Sequence, residues 1–209
     1  CDAADRNVCV TSGEFQRRMQ MSELKSFKDP LTGRVVHQLT NIGHNVSPYF
    51  NSHAWTGDSR WVVFMRVDKD GESVMACELA TGMLRSVAGP FPVGTEKEKG
   101  ILWPTLNMIP GTEDATFVRG RELWRAGIDG KSARKLADLP GPSGGDTDVS
   151  YDGRWHVLPI FHMSEETAEA LGKVGWNVDP VMEKYEFVSE LVRVDLDDGR
   201  IESLWSENA

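Results

Sequence analysis

Short apolar segments recur along the chain, each bounded by Gly, Asp, Ser or Thr, the pattern of β-strands joined by tight turns. The most apolar are Trp61–Met65, Ala115–Val118 and Trp155–Ile160, and each follows a polar turn: Thr56-Gly57-Asp58-Ser59, Pro110-Gly111-Thr112-Glu113 or Tyr151-Asp152-Gly153. A more mixed segment precedes each of those turns, at Tyr49–Trp55, Leu102–Met108 and Asp146–Tyr151. A third segment, at Ser73–Leu79, Glu122–Ile128 and Leu191–Leu196, ends in a Gly turn, and a fourth follows it, at Leu84–Val87, Ala133–Leu136 and Ile201–Trp205. The pattern predicts one helix, from Ser164 to Leu171, with Ser164 as N-cap, Glu165 and Glu166 in the first turn and Gly172 as the stop.

The order of these segments repeats. The turn glycines Gly33, Gly82, Gly130 and Gly199 are 49, 48 and 69 residues apart, the last interval being one period enlarged by the segment that holds the helix. Four short strands per period form a four-stranded antiparallel meander, the unit of a β-propeller blade. A β-sandwich is the alternative, but it does not require the same turn chemistry at the same offset in each unit. The expected fold is therefore all-β: a partial β-propeller with three complete blades, a helical insertion in the third, and one orphan outer strand at Arg34–Thr40. Residues 1–26 are expected to be a leader or tail, and 27–209 an incomplete propeller, since ring closure takes about four to eight blades. The chain starts at Cys1 rather than Met, so we expect the N-terminal half of a larger protein.

Composition narrows the functional classes. A net charge of -9 and a pI near 5.1 oppose nucleic-acid binding by bulk charge. No run of 18 apolar residues exists, so no helical membrane span is expected. Cys1, Cys9 and Cys77 form no CxxC pair and cannot all pair, which points to a reducing compartment and a cytoplasmic protein. Cys1-Asp2 also permits a lipid-bearing, periplasmic alternative.

The stretch from Phe27 to Thr40, with Asp29, Thr32-Gly33, Val36 and Leu39-Thr40, resembles the opening of the oligogalacturonate lyases. The resemblance continues through Tyr49-Phe50 and Gly57–Phe64, and resumes at Leu191–Leu196 with Gly199 and Glu202. Glu183–Phe187 is similar to an aromatic, charged excursion before the third strand of that family's corresponding blade. Individual motifs are shared with TolB-like repeats and oligopeptidase propellers, so their order and the insertion carry the specificity. The resemblance implies a seven-bladed propeller that cleaves pectin-derived galacturonate oligomers by β-elimination with a divalent metal, usually manganese. In such a reaction a cation neutralises the carboxylate while a base removes the adjacent proton. It also implies that the metal-binding His/Gln cluster, the base and its supporting Arg come from later blades, so no catalytic or metal-binding residue is expected in this chain. Where the family often has a His-Arg pair before Tyr-Phe, this chain has His44-Asn45-Val46-Ser47-Pro48-Tyr49-Phe50, with the His displaced and no Arg.

His44, Asn45, Tyr49 and His53 lie at the start of the expected innermost strand of the first full blade, where propeller ligands usually sit, and are the candidate contacts for a small acidic oligosaccharide. A solvated loop with one satisfied His is the competing reading. The spacing of His44 and His53 is not that of a metal pair. Gly141-Pro142-Ser143-Gly144-Gly145 matches G-x-S-x-G but lacks the strand-to-helix context of a nucleophile elbow. Asp146, Asp148 and Asp152 read as turn residues, His156 and His162 as packed or solvent-facing, and Trp55, Trp61, Trp103, Trp124, Trp155 and Trp205 as inter-blade packing, with Trp103 also placed to stack on a sugar ring. The alternatives to a lyase are a TolB-like propeller that binds a protein or peptide and the cap of an oligopeptidase.

Overall fold

The computed structural model describes residues 22–93, 100–144, 147–174, 181, 183–186 and 188–208. Three four-stranded antiparallel sheets follow one another in sequence, preceded by a two-stranded hairpin. Blade 1 comprises β3 (His44–Val46), β4 (Trp61–Asp68), β5 (Gly71–Glu78) and β6 (Leu84–Phe91). Blade 2 comprises β7 (Ile101–Met108), β8 (Asp114–Arg119), β9 (Glu122–Gly127) and β10 (Arg134–Asp138). Blade 3 comprises β11 (Asp148–Val149), β12 (Trp155–His162), β13 (Val188–Asp195) and β14 (Ile201–Asn208). In each, strand order follows chain order, so the sheets are meanders whose first strand forms one edge and whose fourth forms the other.

The second strands of blades 1 and 2 are largely apolar because each packs against a neighbouring blade, Thr116 being a buried polar exception in β8. In β8, Ala115 and Phe117 join the core shared with blade 1, which includes Trp61, Val63, Met65 and Val74, while Val118 joins the core shared with blade 3, with Leu158, Ile160 and Val194. Burying each such side chain stabilises by about 1.5–3 kcal/mol. These two cores are the glue between blades. Trp61 and Trp124 pack in the first of them, as expected for inter-blade tryptophans, whereas Trp55 and Trp205 are exposed. Trp155 is half-buried on the outer face of blade 3, where the Arg193 guanidinium stacks 4.1 Å from the ring centre and Arg154 lies at 4.9 Å. The side chain of Trp103 lies outside the described residues.

Two turns recur with their chemistry intact. Thr56 Oγ1 and Ser150 Oγ each donate to an Asp two residues on (Asp58 at 2.6 Å, Asp152 at 2.5 Å) and each accepts the N–H of the tryptophan that starts the second strand (Trp61 at 3.0 Å, Trp155 at 2.9 Å). Those bonds, with backbone N–H donation from Arg60 and Arg154, hold both carboxyls below the usual range. Before the fourth strands, Gly33, Gly82, Gly130 and Gly199 share φ values of 69°, 68°, 74° and 77°.

The strand expected as an orphan has a partner. β1 (Lys25–Lys28) pairs with β2 (Val35–Gln38), Lys25 opposite Gln38, across a turn in which the Asp29 carboxylate accepts from the Thr32 hydroxyl and backbone N–H. The boundary drawn at residue 26 therefore falls inside a strand, and the lead-in to it is also part of the fold. Glu23 is buried, its carboxylate 3.0 Å from Arg66 and accepting the N–H groups of Asn41 (2.8 Å) and Ile42 (3.0 Å). The carboxylate thus ties the hairpin to the blade 1 face that buries Phe64, Cys77 and Leu84. Residues 1–21 lie outside the described residues.

The insertion between β12 and β13 forms α1 (Glu165–Val174), with Ser164 Oγ accepting from Thr167 N–H at 3.1 Å as the expected N-cap. The helix continues through Gly172 instead of stopping there, so one glycine did not outweigh the flanking helix formers Leu171 and Lys173. Ser164→Ala should destabilise this helix by about 1 kcal/mol, read as faster amide exchange at Thr167 and Ala168 with the exchange of β12 unchanged. No helix among the described residues is long and apolar enough to cross a membrane.

Candidate functional site

The three first strands lie along the inner edge of the blades, and each is interrupted. In blade 1, β3 pairs Val46 with Met65 and pairing resumes at Trp55 opposite Val62, where the Ala54 carbonyl accepts from Val63 N–H (2.8 Å), so residues 47–53 leave the sheet. In blade 2, Leu102 faces Val118 and Asn107 faces Thr116, which puts residues 103–106 out of register. In blade 3, Ser143 bridges Ile160 and Asp148 pairs with Val157, and the break lies between them. The Thr105 hydroxyl compensates in blade 2 by accepting the Val118 N–H (2.8 Å) that the displaced backbone no longer meets, while donating to the Leu102 carbonyl (2.7 Å).

The first of these excursions holds Tyr49 and His53 of the expected site, and the strand before it holds His44 and Asn45. His44 starts β3 with its imidazole exposed. Asn45 is spent on the fold: its carbonyl accepts from Arg66 Nε (2.8 Å) and its amide donates to the Ile42 carbonyl (2.9 Å), which steadies the Glu23–Arg66 pair. Tyr49 is half-buried with its ring 4.4 Å from that of the exposed Phe50. His53 presents an exposed imidazole, while its backbone is bound into blade 2: its N–H donates to Asn107 Oδ1 (2.9 Å) and its carbonyl accepts from Met108 N–H (2.6 Å). Ser52 Oγ adds a bond to the Pro104 carbonyl (3.3 Å). The segment expected as the strand Tyr49–Trp55 is therefore a loop pinned to the next blade.

A buried polar chain continues from that point. The Asn107 amide donates to the Thr105 carbonyl (3.4 Å) and to Thr147 Oγ1 (3.5 Å); Thr147 Oγ1 lies 3.0 Å from His156 Nε2, and Thr116 Oγ1 lies 3.2 Å from His156 Nδ1. Asn107, Thr116 and His156 are wholly inaccessible to solvent. Burial pushes His156 down to about 3, so it is a neutral imidazole that accepts at one nitrogen and donates at the other. Sequence reasoning missed this chain because its members come from two blades. The buried polar positions Asn107 and Thr116, lying in apolar runs, were the available signal.

The remaining candidates have structural work. Ser143 sits on the inner edge of blade 3, bridged to Ile160. Its Oγ and Arg119 Nε are buried without a hydrogen-bond partner among the described residues. Asp148 and Asp152 cap backbone N–H groups of Val149 (2.8 Å) and Arg154 (3.1 Å), and Asp146 lies outside the described residues. His162 is exposed, 2.7 Å from Glu190. Cys77 is buried, and burial pushes its thiol up to about 11, which makes it a poor nucleophile. No three His, Cys, Asp or Glu side chains among the described residues come together to hold a metal ion, so the residues present do not fit the divalent cation that the lyase resemblance brings with it.

This architecture is that of β-propeller blades, and solved structures bear it out. An oligogalacturonate lyase from Vibrio parahaemolyticus superposes with a TM-score of 0.72 at 15% identity, over 89% of this chain and 47% of that one. An oligogalacturonate lyase in complex with manganese gives 0.71 at 18% identity, over 88% and 47%. A putative TolB from Agrobacterium tumefaciens gives 0.52 at 13% identity, over 88% and 60%. The chain has the fold of oligogalacturonate lyase blades and spans about half the length of those lyases. No protein-family model and no curated protein sequence matches it.

Proposed function

We propose that this chain is the N-terminal half of an oligogalacturonate lyase-like enzyme, cytoplasmic, acting on pectin-derived galacturonate oligomers by β-elimination. Its own residues supply scaffold and binding wall, with His44, Tyr49 and His53 contacting the acidic oligosaccharide and Asn45 supporting them through Arg66. The observation that carries this reading is the superposition on two oligogalacturonate lyases at TM-scores of 0.72 and 0.71, against 0.52 for the TolB neighbour. The site's chemistry supports a binding role. Exposed imidazoles on the strand and loop that also carry the Tyr49–Phe50 ring pair suit holding a sugar acid. A cation cluster is not formed by the described residues, so the proposal puts manganese and the base in the remaining blades.

The acidic balance works against a polyanionic ligand at long range, although salt screens beyond about 8 Å. A second reading, a TolB-like propeller that binds a protein or peptide, is favoured by that charge and by the TolB superposition. The deciding assay follows the ultraviolet absorbance of the unsaturated product when a longer protein containing this chain is given digalacturonate and manganese, before and after chelation. Metal-dependent formation of that product is the expected result, with none from the 209-residue chain alone. No product at any manganese concentration sinks the lyase reading in favour of the binding module.

A further inference from the structure

Resting on that reading of the site, we infer that Asn107, on the neighbouring blade, is the residue that positions His53 for its ligand. Residues 47–53 have left their own sheet, and blade 1 takes hold again at the Ala54 carbonyl, which accepts from Val63 N–H at 2.8 Å. At His53 itself the grip comes from blade 2. The His53 N–H is received by the Asn107 carboxamide oxygen at 2.9 Å and the His53 carbonyl is held by Met108 N–H at 2.6 Å, a two-point grip on a residue whose imidazole is left in solvent.

A carboxamide can rotate by half a turn and present NH2 where its oxygen was, which would set two donors against each other at His53. The far side of Asn107 prevents this. Its NH2 is directed to the Thr105 carbonyl, which can only accept, and toward the Thr147 hydroxyl. Thr147 is in turn held by His156 Nε2, and His156 Nδ1 by Thr116. If Asn107 donates to Thr147, the Thr147 proton goes to Nε2 and the Nδ1 proton to Thr116, so one direction of donation runs through the whole chain. The aim of the exposed imidazole on blade 1 is therefore set by hydroxyls and an imidazole of blades 2 and 3. Because every link beyond the His53–Asn107 bond is buried, bulk water does not compete for those bonds.

The test compares the 209-residue chain with Asn107→Leu and Asn107→Asp, read by amide exchange and by the NMR signals of the His53 ring with and without digalacturonate. Asn107→Leu removes the acceptor and should speed exchange of the His53 amide by about tenfold or more, with Val74 and Ala76 in β5 unchanged. It should also shift the His53 ring resonances and erase their response to digalacturonate. Asn107→Asp retains an oxygen for the His53 N–H but sets its other oxygen against the Thr105 carbonyl, so it should restore both readouts only in part. If Asn107→Leu fails to fold, Thr147→Val, which removes the hydroxyl but keeps the volume, should speed His53 exchange severalfold. An unchanged His53 amide in Asn107→Leu or Thr147→Val overturns the inference, as does an equal loss of protection across β5. A wild-type chain in which digalacturonate leaves the His53 ring unmoved, while Asn107→Leu still frees its amide, sinks the proposed ligand and leaves the positioning role standing.

Discussion

Gly199→Ala should destabilise the chain by about 3 kcal/mol or more, whereas Gly111→Ala should cost about 1 kcal/mol, although both glycines have the same backbone twist. Their φ values are 77° and 74°, so each substitution carries the left-handed penalty of about 1–2 kcal/mol for a residue with a Cβ. The difference lies in what surrounds them. A Cβ on Gly111 meets nothing within 4 Å, while one on Gly199 falls 2.2 Å from the Leu136 carbonyl oxygen and 3.0 Å from its carbon. Those atoms belong to β10 of blade 2, a backbone that cannot swing aside as a side chain could. Gly130 stands in the same relation to Ser86 on β6, with a Cβ 2.3 Å from that carbonyl oxygen, so the clash is a feature of the repeat. Urea unfolding of both variants at neutral pH checks this. Equal losses at positions 111 and 199 would mean that the blades do not meet at this turn.

That inter-blade role explains what was legible in the sequence and what was not. The turn glycines were visible because left-handed backbone and close approach both demand glycine, and the second strands because packing against a neighbouring blade leaves a largely apolar run, as in Trp61–Met65. The hairpin partner β1 was not visible. Its residues Lys25, Ser26, Phe27 and Lys28 are all exposed, so no alternation marks them. The inner strands misled for a different reason. Tyr49, Phe50, His53 and Trp55 have strand-like composition, yet the loop they occupy is stabilised by bonds to blade 2, which no local pattern encodes. Of the candidate site, the exposed imidazoles were readable as polar groups at the start of an inner strand. The bond from Arg66 to Asn45 was not readable because β3–β4 pairing brings the two together, and neither were the bonds of Asn107 and His156, whose partners lie 54 and 40 residues away.

Acid should loosen the molecule through His156 well before its carboxylates titrate. In the folded state burial holds this imidazole down to about 3, from an ordinary value of 6.5, with hydroxyls of Thr116 and Thr147 as its partners among the described residues. The unfolded chain therefore takes up a proton that the folded chain refuses, and stability falls as pH drops from about 6.5 toward 3. The slope is about 1.4 kcal/mol per pH unit, so between pH 7 and pH 5 the loss is about 2 kcal/mol. Asp58, Asp152 and Asp195 all have carboxyls held below their usual range by hydrogen bonds, so they remain ionised throughout that interval and contribute no slope of their own. His156→Gln keeps an acceptor and a donor for the two hydroxyls but cannot take the proton. It should be less stable than wild type at pH 7, because its shape fits the blade 2–blade 3 core less well, and should lose about 2 kcal/mol less between pH 7 and pH 5. Urea unfolding at the two pH values measures both quantities. A His156→Gln chain that weakens in acid as steeply as wild type would show that the proton enters elsewhere, and that the imidazole joining blades 2 and 3 is reached by water in the folded state.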